Sequence, residues 1–290
     1  MPVEDCTERE PSRDAFQSIG IVYNPRVASA PTLAEDISVW LHHQGTATWR
    51  CTTDDAGTLC SPADLLVVLG GDGSILRAAQ KAAPAGIPLL GLNLGRVGFL
   101  SEAPPEIWRE VLIRVLAGEG VIEERMMLDV ALRRGQENIV HDIALNDAVV
   151  GRSGLARTIH LKTFIDGAFM ARYVTDGLIL ATPTGSTAYA YALGGPILPP
   201  WVQAILVVPA APHLSLERPL VLDAEAEVEV ELTTEGAGTL SVDGRMAGEL
   251  HQGDIVRVQR SQLQARFLRL RDRNDFYRTL VARLTPHNGD

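Results

Sequence analysis

Residues 65–83 read LLVVLGGDGSILRAAQKAA, and this stretch decides the fold. The five apolar residues Leu65, Leu66, Val67, Val68 and Leu69 have no polar partner between them, the pattern of a strand buried on both faces of a parallel sheet. Gly70, Gly71, Asp72 and Gly73 break the run as a turn, and residues 75–83 resume as helix. The flanking sequence repeats that grammar. Residues 19–23 are a short apolar strand, and Thr32 and Glu35 have capping-box spacing. Leu33, Ile37, Trp40 and Leu41 follow at helical spacing, and Gly45 is a stop. Residues 87–92 form a second buried strand. Pro104 and Pro105 open a helix with apolar pairs at Ile107/Trp108, Val111/Leu112 and Val115/Leu116, ended by Gly118. Strands alternating with helices predict a doubly wound α/β sheet.

Beyond about residue 120 the period changes to two. Leu128, Val130 and Leu132 alternate with polar or small neighbours, as do Ile159, Leu161, Thr163 and Ile165, then Val228, Val230 and Leu232. Repeated short alternation predicts a β-rich, sandwich-like domain with one wet face. Residues 275–284 turn helical again. The sequence thus reads as α/β + β: an α/β domain over 1–119 (a loose tail at 1–17), a β-rich domain over 120–270, and a final helix within 271–290 returning to the first domain.

The 290 residues suffice for two domains, and 46% hydrophobic with 21% charged residues is a globular composition. The net charge of −10 excludes the usual basic nucleic-acid binder. Any polyanionic ligand must then be held by backbone N–H groups, helix ends and metal ions. Cys6, Cys51 and Cys60 have neither metal-ligand nor redox spacing, and the histidines lack zinc spacing. No apolar run approaches a membrane span, and the polar first residues carry no apolar signal core, so a cytoplasmic location is expected.

Five segments could carry chemistry. The Gly70–Ser74 turn sits between strand and helix, where free N–H groups and the helix dipole favour phosphate. It lacks the Walker lysine and the Rossmann spacing. Asp72 could bind a ribose hydroxyl, hold Mg²⁺ or accept a hydroxyl proton; a plain strand–helix turn is the competing reading. GLNLGRVGFL at 91–100 brings a second glycine loop to the same carboxyl edge of the sheet, or is simply a glycine-rich connector. Asn146 and Asp147 interrupt an apolar strand over 143–150, as ribose ligands or as a bulge or strand end. The turn around Thr182, Thr184, Ser186 and Thr187, followed by Tyr189, is rich in hydroxyls, more than a structural turn needs. Asp243 and Gly244 read as a hairpin turn.

In this order the segments resemble the NAD kinase family over roughly residues 65–284. GGDGS matches its glycine–aspartate motif, which phosphofructokinases and diacylglycerol kinases share. LNDAVV at 145–150, DGLILATPTGSTAYAYALGGPIL at 176–198, PAAPHLSLERPLV at 209–221 and SVDGR at 241–245 look like further family segments. The long 176–198 segment is specific. Two positions depart from the pattern: Asp147 stands where Glu is usual, and Tyr191-Ala192-Leu193 replaces Leu-Ser-Ala.

The resemblance implies transfer of the terminal phosphoryl group of ATP, or of polyphosphate, to the 2′-hydroxyl of the adenine ribose of NAD. It places the dinucleotide between the domains. Asp72 would orient or deprotonate that hydroxyl. Gly71 and Gly73 would admit phosphates, with Arg77 on the following helix, and Asn146 and Asp147 would hold ribose hydroxyls or the adenine edge. Asp176 would contact the nicotinamide end. Thr184, Thr187, Ala188 and Tyr189 would wall the pocket, with Asp243 nearby. Mg²⁺ would arrive with ATP and need no ligand set of its own. The family commonly forms homo-dimers or homo-tetramers. A lipid kinase of the diacylglycerol type and a non-catalytic dinucleotide sensor are the competing readings; the first lacks the basic amphipathic helix it would need here.

Overall fold

The computed structural model describes residues 16–55, 61–95, 98–154, 158–213 and 217–284. Cys6, Cys60 and most of the 1–17 tail lie outside these residues, as do Arg96 and Val97 of the second glycine loop. The chain divides into two compact units, residues 1–124 with 265–290, and residues 125–264. The sequence pattern places these boundaries at 119 and 270. The strands β5 (Val121–Arg134) and β16 (Ile255–Arg269), named in chain order with those below, each run across a unit boundary, so neither boundary carries a linker.

The first unit opens with β1 (Ser18–Tyr23), α1 (Ala30–His43), β2 (Ala47–Thr52), β3 (Leu65–Leu69), α2 (Asp72–Ala82), β4 (Leu89–Leu92) and α3 (Trp108–Leu116). Its strands pair in parallel in the order β2-β1-β3-β4, and Phe267 of β16 continues the sheet beside Leu89. All five residues of β3 are fully buried, as its unbroken apolar run requires. Each such side chain contributes about 1.5–3 kcal/mol. Ile37 and Leu41 of α1, Leu112 and Val115 of α3, and Leu268 complete this core. The final helix α5 (Asp275–Leu284) belongs to the same unit, where Phe276 packs against Phe99 with ring centroids 6.1 Å apart.

Two local expectations fail. Thr32 and Glu35 are not a capping box: α1 starts at Ala30 after Ser29, with Pro31 in its first turn. The glutamate lies inside the helix and pairs with Arg50 of β2 instead. Proline's fixed φ starts a helix without a side-chain cap. Ile107 is exposed, because it ends a short 3-10 turn over Pro105–Ile107 and not an α-helical turn facing the core.

The second unit is a sandwich. Its first sheet is wholly antiparallel in the order β12 (Leu220–Asp223), β11 (Ala204–Ala210), β10 (Gly177–Ala181), β7 (Asp147–Arg152), β14 (Gly238–Val242), β15 (Arg245–Leu250). The second pairs β16, β13 (Val228–Leu232), β8 (Ile159–Ile165) and β9 (Ala168–Thr175), also antiparallel, and β5 forms a hairpin with β6 (Glu137–Ala144). The inward residues of both sheets, among them Leu128, Val150, Leu161, Leu180, Val207, Val230 and Val256, form one core. The outer face of β10 and β11 is covered as well: Ile179, Leu206 and Val208 pack against Ala190 of the short helix α4 (Tyr189–Ala192), with Leu193 and Leu198. That cover explains why β10 and β11 are buried along their whole length, where β12 and β14 of the same sheet alternate.

Candidate active site

In the first unit the polar residues gather where β1, β3 and β4 end. Asn24 follows β1, Gly70 follows β3 and Asn93 follows β4, the carboxyl edge at which parallel sheets bind ligands. Asn24 donates its side-chain amide to Ser74 Oγ at 3.3 Å and its N–H to the Leu69 carbonyl at 3.0 Å, tying the first loop to α2. The helix α2 begins inside the glycine motif: Gly71 is its cap and Asp72 its first residue, where the dipole favours a carboxylate. A Cβ on Gly71 or Gly73 would meet open space, so packing does not demand these glycines and the backbone there stays approachable.

Asp72 is half-buried and held. Its Oδ2 accepts the Phe99 N–H at 3.0 Å and its Oδ1 the Leu100 N–H at 3.3 Å. Gly98 is required for this: a Cβ there would lie 1.9 Å from Asp72 Oδ1. A carboxylate offers about four lone-pair sites, so two remain for a ligand. Gly71, Asp72, Asn93, Leu94 and Gly95 line an open cavity of about 390 Å³ together with Val27 and Arg283. That is within the usual ligand-site range. Arg77 is exposed on α2. Among the described residues, no cluster of three or more His, Cys, Asp or Glu is placed to hold a metal ion.

In the second unit three motifs separated by up to about a hundred positions are bonded into one corner. Leu145 and Asn146 are the turn between β6 and β7 and not the middle of a strand. The Asp243 carboxylate accepts all three N–H groups of that turn: Leu145 at 2.9 Å, Asn146 at 2.7 Å and Asp147 at 3.1 Å. Asp243 and Gly244 adopt φ of 49° and 73°, the left-handed pair of a tight hairpin between β14 and β15. From the other side, Thr182 donates its N–H to the Asn146 carbonyl at 2.9 Å and its hydroxyl to the Leu145 carbonyl at 2.5 Å. Gly185 lies so close that a Cβ would fall 2.1 Å from the Asn146 carbonyl oxygen.

The hydroxyls of the 182–187 turn mostly serve the turn itself. Ser186 Oγ donates to the Pro183 carbonyl at 2.6 Å and accepts the Leu198 N–H at 2.9 Å, and Thr187 Oγ1 donates to the Thr184 carbonyl at 3.2 Å. Of the four, Thr184 alone has its hydroxyl outside the described hydrogen bonds. The expectation that so many hydroxyls exceed structural need is therefore corrected for Thr182, Ser186 and Thr187. Tyr189 is 47% exposed at the start of α4.

Asp147 is 5% exposed. Its carboxyl has no hydrogen-bond partner among the described residues. Burial, and then the neighbouring Asp243 charge, push it up to about 7. Asp176 lies between β9 and β10, its carboxylate 3.5 Å from Arg152 Nε.

Family models for the N-terminal and C-terminal domains of ATP-NAD kinases match residues 52–120 and 145–270. The chain belongs to the NAD kinase family. An NAD kinase of Chloroflexus aurantiacus is 38% identical over 272 residues, covering 93% of this chain and 99% of that protein. One of Moorella thermoacetica is 40% identical over 273 residues, covering 90% and 87%. Among solved structures, yeast NADH kinase complexed with NADH superposes with a TM-score of 0.84 at 27% identity, over 96% of this chain and 89% of that one. An Archaeoglobus fulgidus NAD kinase in complex with ATP gives 0.71 at 26% identity, over 91% and 97%.

In this member of the NAD kinase family the loops are legible in the sequence, but what holds them is not. The Phe99 and Leu100 amides on Asp72, the Gly98 clearance, Val27 and Arg283 at the cavity, and the grip of Asp243 on the 145–147 turn are long-range facts. Only Asn24 has a legible signal, a polar residue directly after an apolar strand, like Asn93.

Proposed function

We propose that this chain phosphorylates the 2′-hydroxyl of the adenine ribose of NAD with the terminal phosphoryl group of ATP. The observation that carries the reading is Asp72: a carboxylate held by two backbone amides at the start of α2, in a residue that lines an open cavity. Phosphoryl transfer needs positioning and charge neutralisation more than covalent chemistry from the protein. Asp72 orients the hydroxyl and takes its proton. The backbone at Gly71 and Gly73 and the Arg283 guanidinium receive phosphates. The metal enters as the Mg–ATP substrate, bound chiefly to phosphate oxygens.

In the same reading, Asn146 and Asp147 meet ribose hydroxyls or the adenine edge. A carboxyl near 7 is protonated in a large fraction of molecules at neutral pH, so Asp147 can donate as well as accept a hydrogen bond there. Asp176 reads the nicotinamide end, Thr184, Thr187, Ala188 and Tyr189 line the wall, and Asp243 acts on NAD only through the turn it fixes. No helix among the described residues is long and apolar enough to cross a membrane. We read the working form as a homo-dimer or homo-tetramer; the exposed Phe169 and Met170 on β9, an edge strand of its sheet, support that reading, and light scattering tests it.

Steady-state assays of NADP formation from NAD and Mg–ATP test the proposal. Product formation supports it; NAD binding without product would make the chain a sensor, and activity on diacylglycerol alone would make it a lipid kinase.

A further inference from the structure

Behind the Asp72 loop lies a set of buried charges. Arg269, the last residue of β16, is 8% exposed, and Glu102 is 3% exposed. Arg269 Nη1 donates to the Leu100 carbonyl at 3.1 Å, to the Ser101 carbonyl at 3.4 Å and to Glu102 Oε2 at 3.4 Å. Its Nε donates to Glu123 Oε1 at 3.3 Å. Glu102 Oε1 in turn accepts the Leu270 N–H at 2.9 Å, and Arg271 donates to the Ser101 carbonyl at 2.5 Å. All of these residues belong to the first unit.

Burying a guanidinium and a carboxylate is costly, and such pairs are weak devices for stability alone. Their placement has a different consequence. Leu100, whose carbonyl accepts from Arg269, is the residue whose N–H donates to Asp72 Oδ1 at 3.3 Å. The neighbouring Phe99 N–H reaches Oδ2 at 3.0 Å. One face of this short segment grips the carboxylate, and the guanidinium grips the other. Arginine's planar fork spans several acceptors at once in fixed geometry, which a lysine ammonium does not.

We propose that Arg269, braced by Glu102, is a positioning residue for phosphoryl transfer. It fixes residues 99–101 so that their two amides hold Asp72 in its reactive orientation. The proposal rests on the role given to Asp72 above.

The test is Arg269→Lys, which keeps the charge and loses the fork. A misplacement of about 1 Å costs about 10²-fold in rate. The expected result is a kcat lowered roughly 10- to 100-fold, with KM for NAD and for ATP within about twofold. Amide hydrogen exchange at Phe99 and Leu100 should quicken at least about tenfold, with protection in β3 unchanged. A second variant, Arg269→Met with Glu102→Gln, removes the two most buried charges together and leaves Glu123 and Arg271, both partly exposed, to water. It should fold and show the same loss of kcat. Exchange at residues 99 and 100 unchanged in both variants, kcat within twofold of wild type, or KM rising in step with the loss overturns the proposal. Failure of both variants to fold overturns it too, since Arg269 is then a folding residue. A wild-type enzyme that makes no NADP instead defeats the assignment of function, and the exchange measurement still judges the brace.

Discussion

Asp147→Asn replaces a buried, titrating carboxyl with a neutral group of the same shape, and the structure sets the size of its effect. In the fold the carboxyl is pushed up from 3.8 to about 7, first by burial and then by Asp243. The folded chain therefore binds this proton more tightly than the unfolded chain, and stability falls as pH rises. The contribution is whole below the ordinary value of 3.8 and is lost as pH climbs through about 7. The difference between the two values converts to about 4 kcal/mol. About 3 kcal/mol of this falls between pH 4.5 and pH 8. The assay is urea unfolding of wild type and variant at several pH values, without NAD, so that ligand linkage does not enter. Titrating groups that do not interact with Asp147 cancel in the comparison. The variant's advantage over wild type should grow by about 3 kcal/mol from pH 4.5 to pH 8. A difference constant to within about 1 kcal/mol across that range would place Asp147 in contact with water or a partner charge.

Three further outcomes follow from the geometry. Asp243→Ala leaves the N–H groups of Leu145, Asn146 and Asp147 without their acceptor; at about 1 kcal/mol or more each, urea unfolding should show a loss near 3 kcal/mol, and a loss under 1 kcal/mol would mean water or another group satisfies them. Gly98→Ala puts a methyl group where Asp72 Oδ1 now sits 1.9 Å away. Turnover should fall by about 10²-fold with the melting temperature little changed, and unaltered turnover would show that the carboxylate's position does not matter. Gly185→Ala drives a Cβ into the Asn146 carbonyl. Its KM for NAD should rise several-fold, and an unchanged KM would detach the 182–185 turn from dinucleotide binding.

The legible part of this molecule was local. The run 65–69 has the pattern of a strand covered on both faces and is one; of the glycines after it, Gly70 and Gly71 make the turn, while Gly73 already lies in α2. The helical period over 275–284 coincides with the observed bounds of α5. What stayed hidden depends on contacts distant in sequence. Nothing near Asp243 announces that its carboxylate binds a turn almost a hundred residues earlier. Nothing near Thr182 or Ser186 announces that their hydroxyls are engaged by the backbone. The capping-box spacing at Thr32 was outweighed by Pro31 one position earlier and by Arg50 on a neighbouring strand. The polar pair Asn146-Asp147 sits where β6 ends and β7 starts, and an apolar run cannot reveal a corner that another element's carboxylate creates.

In the proposed reaction Asp72 is the group that acts on the ribose hydroxyl. The direct measurement is NADP formation from NAD and Mg–ATP by wild type and by Asp72→Asn, with circular dichroism confirming the fold of both. General-base assistance contributes about 10²–10⁴-fold, so the variant should lose activity on that scale while remaining folded. A folded variant within a few-fold of wild type would remove Asp72 from the mechanism.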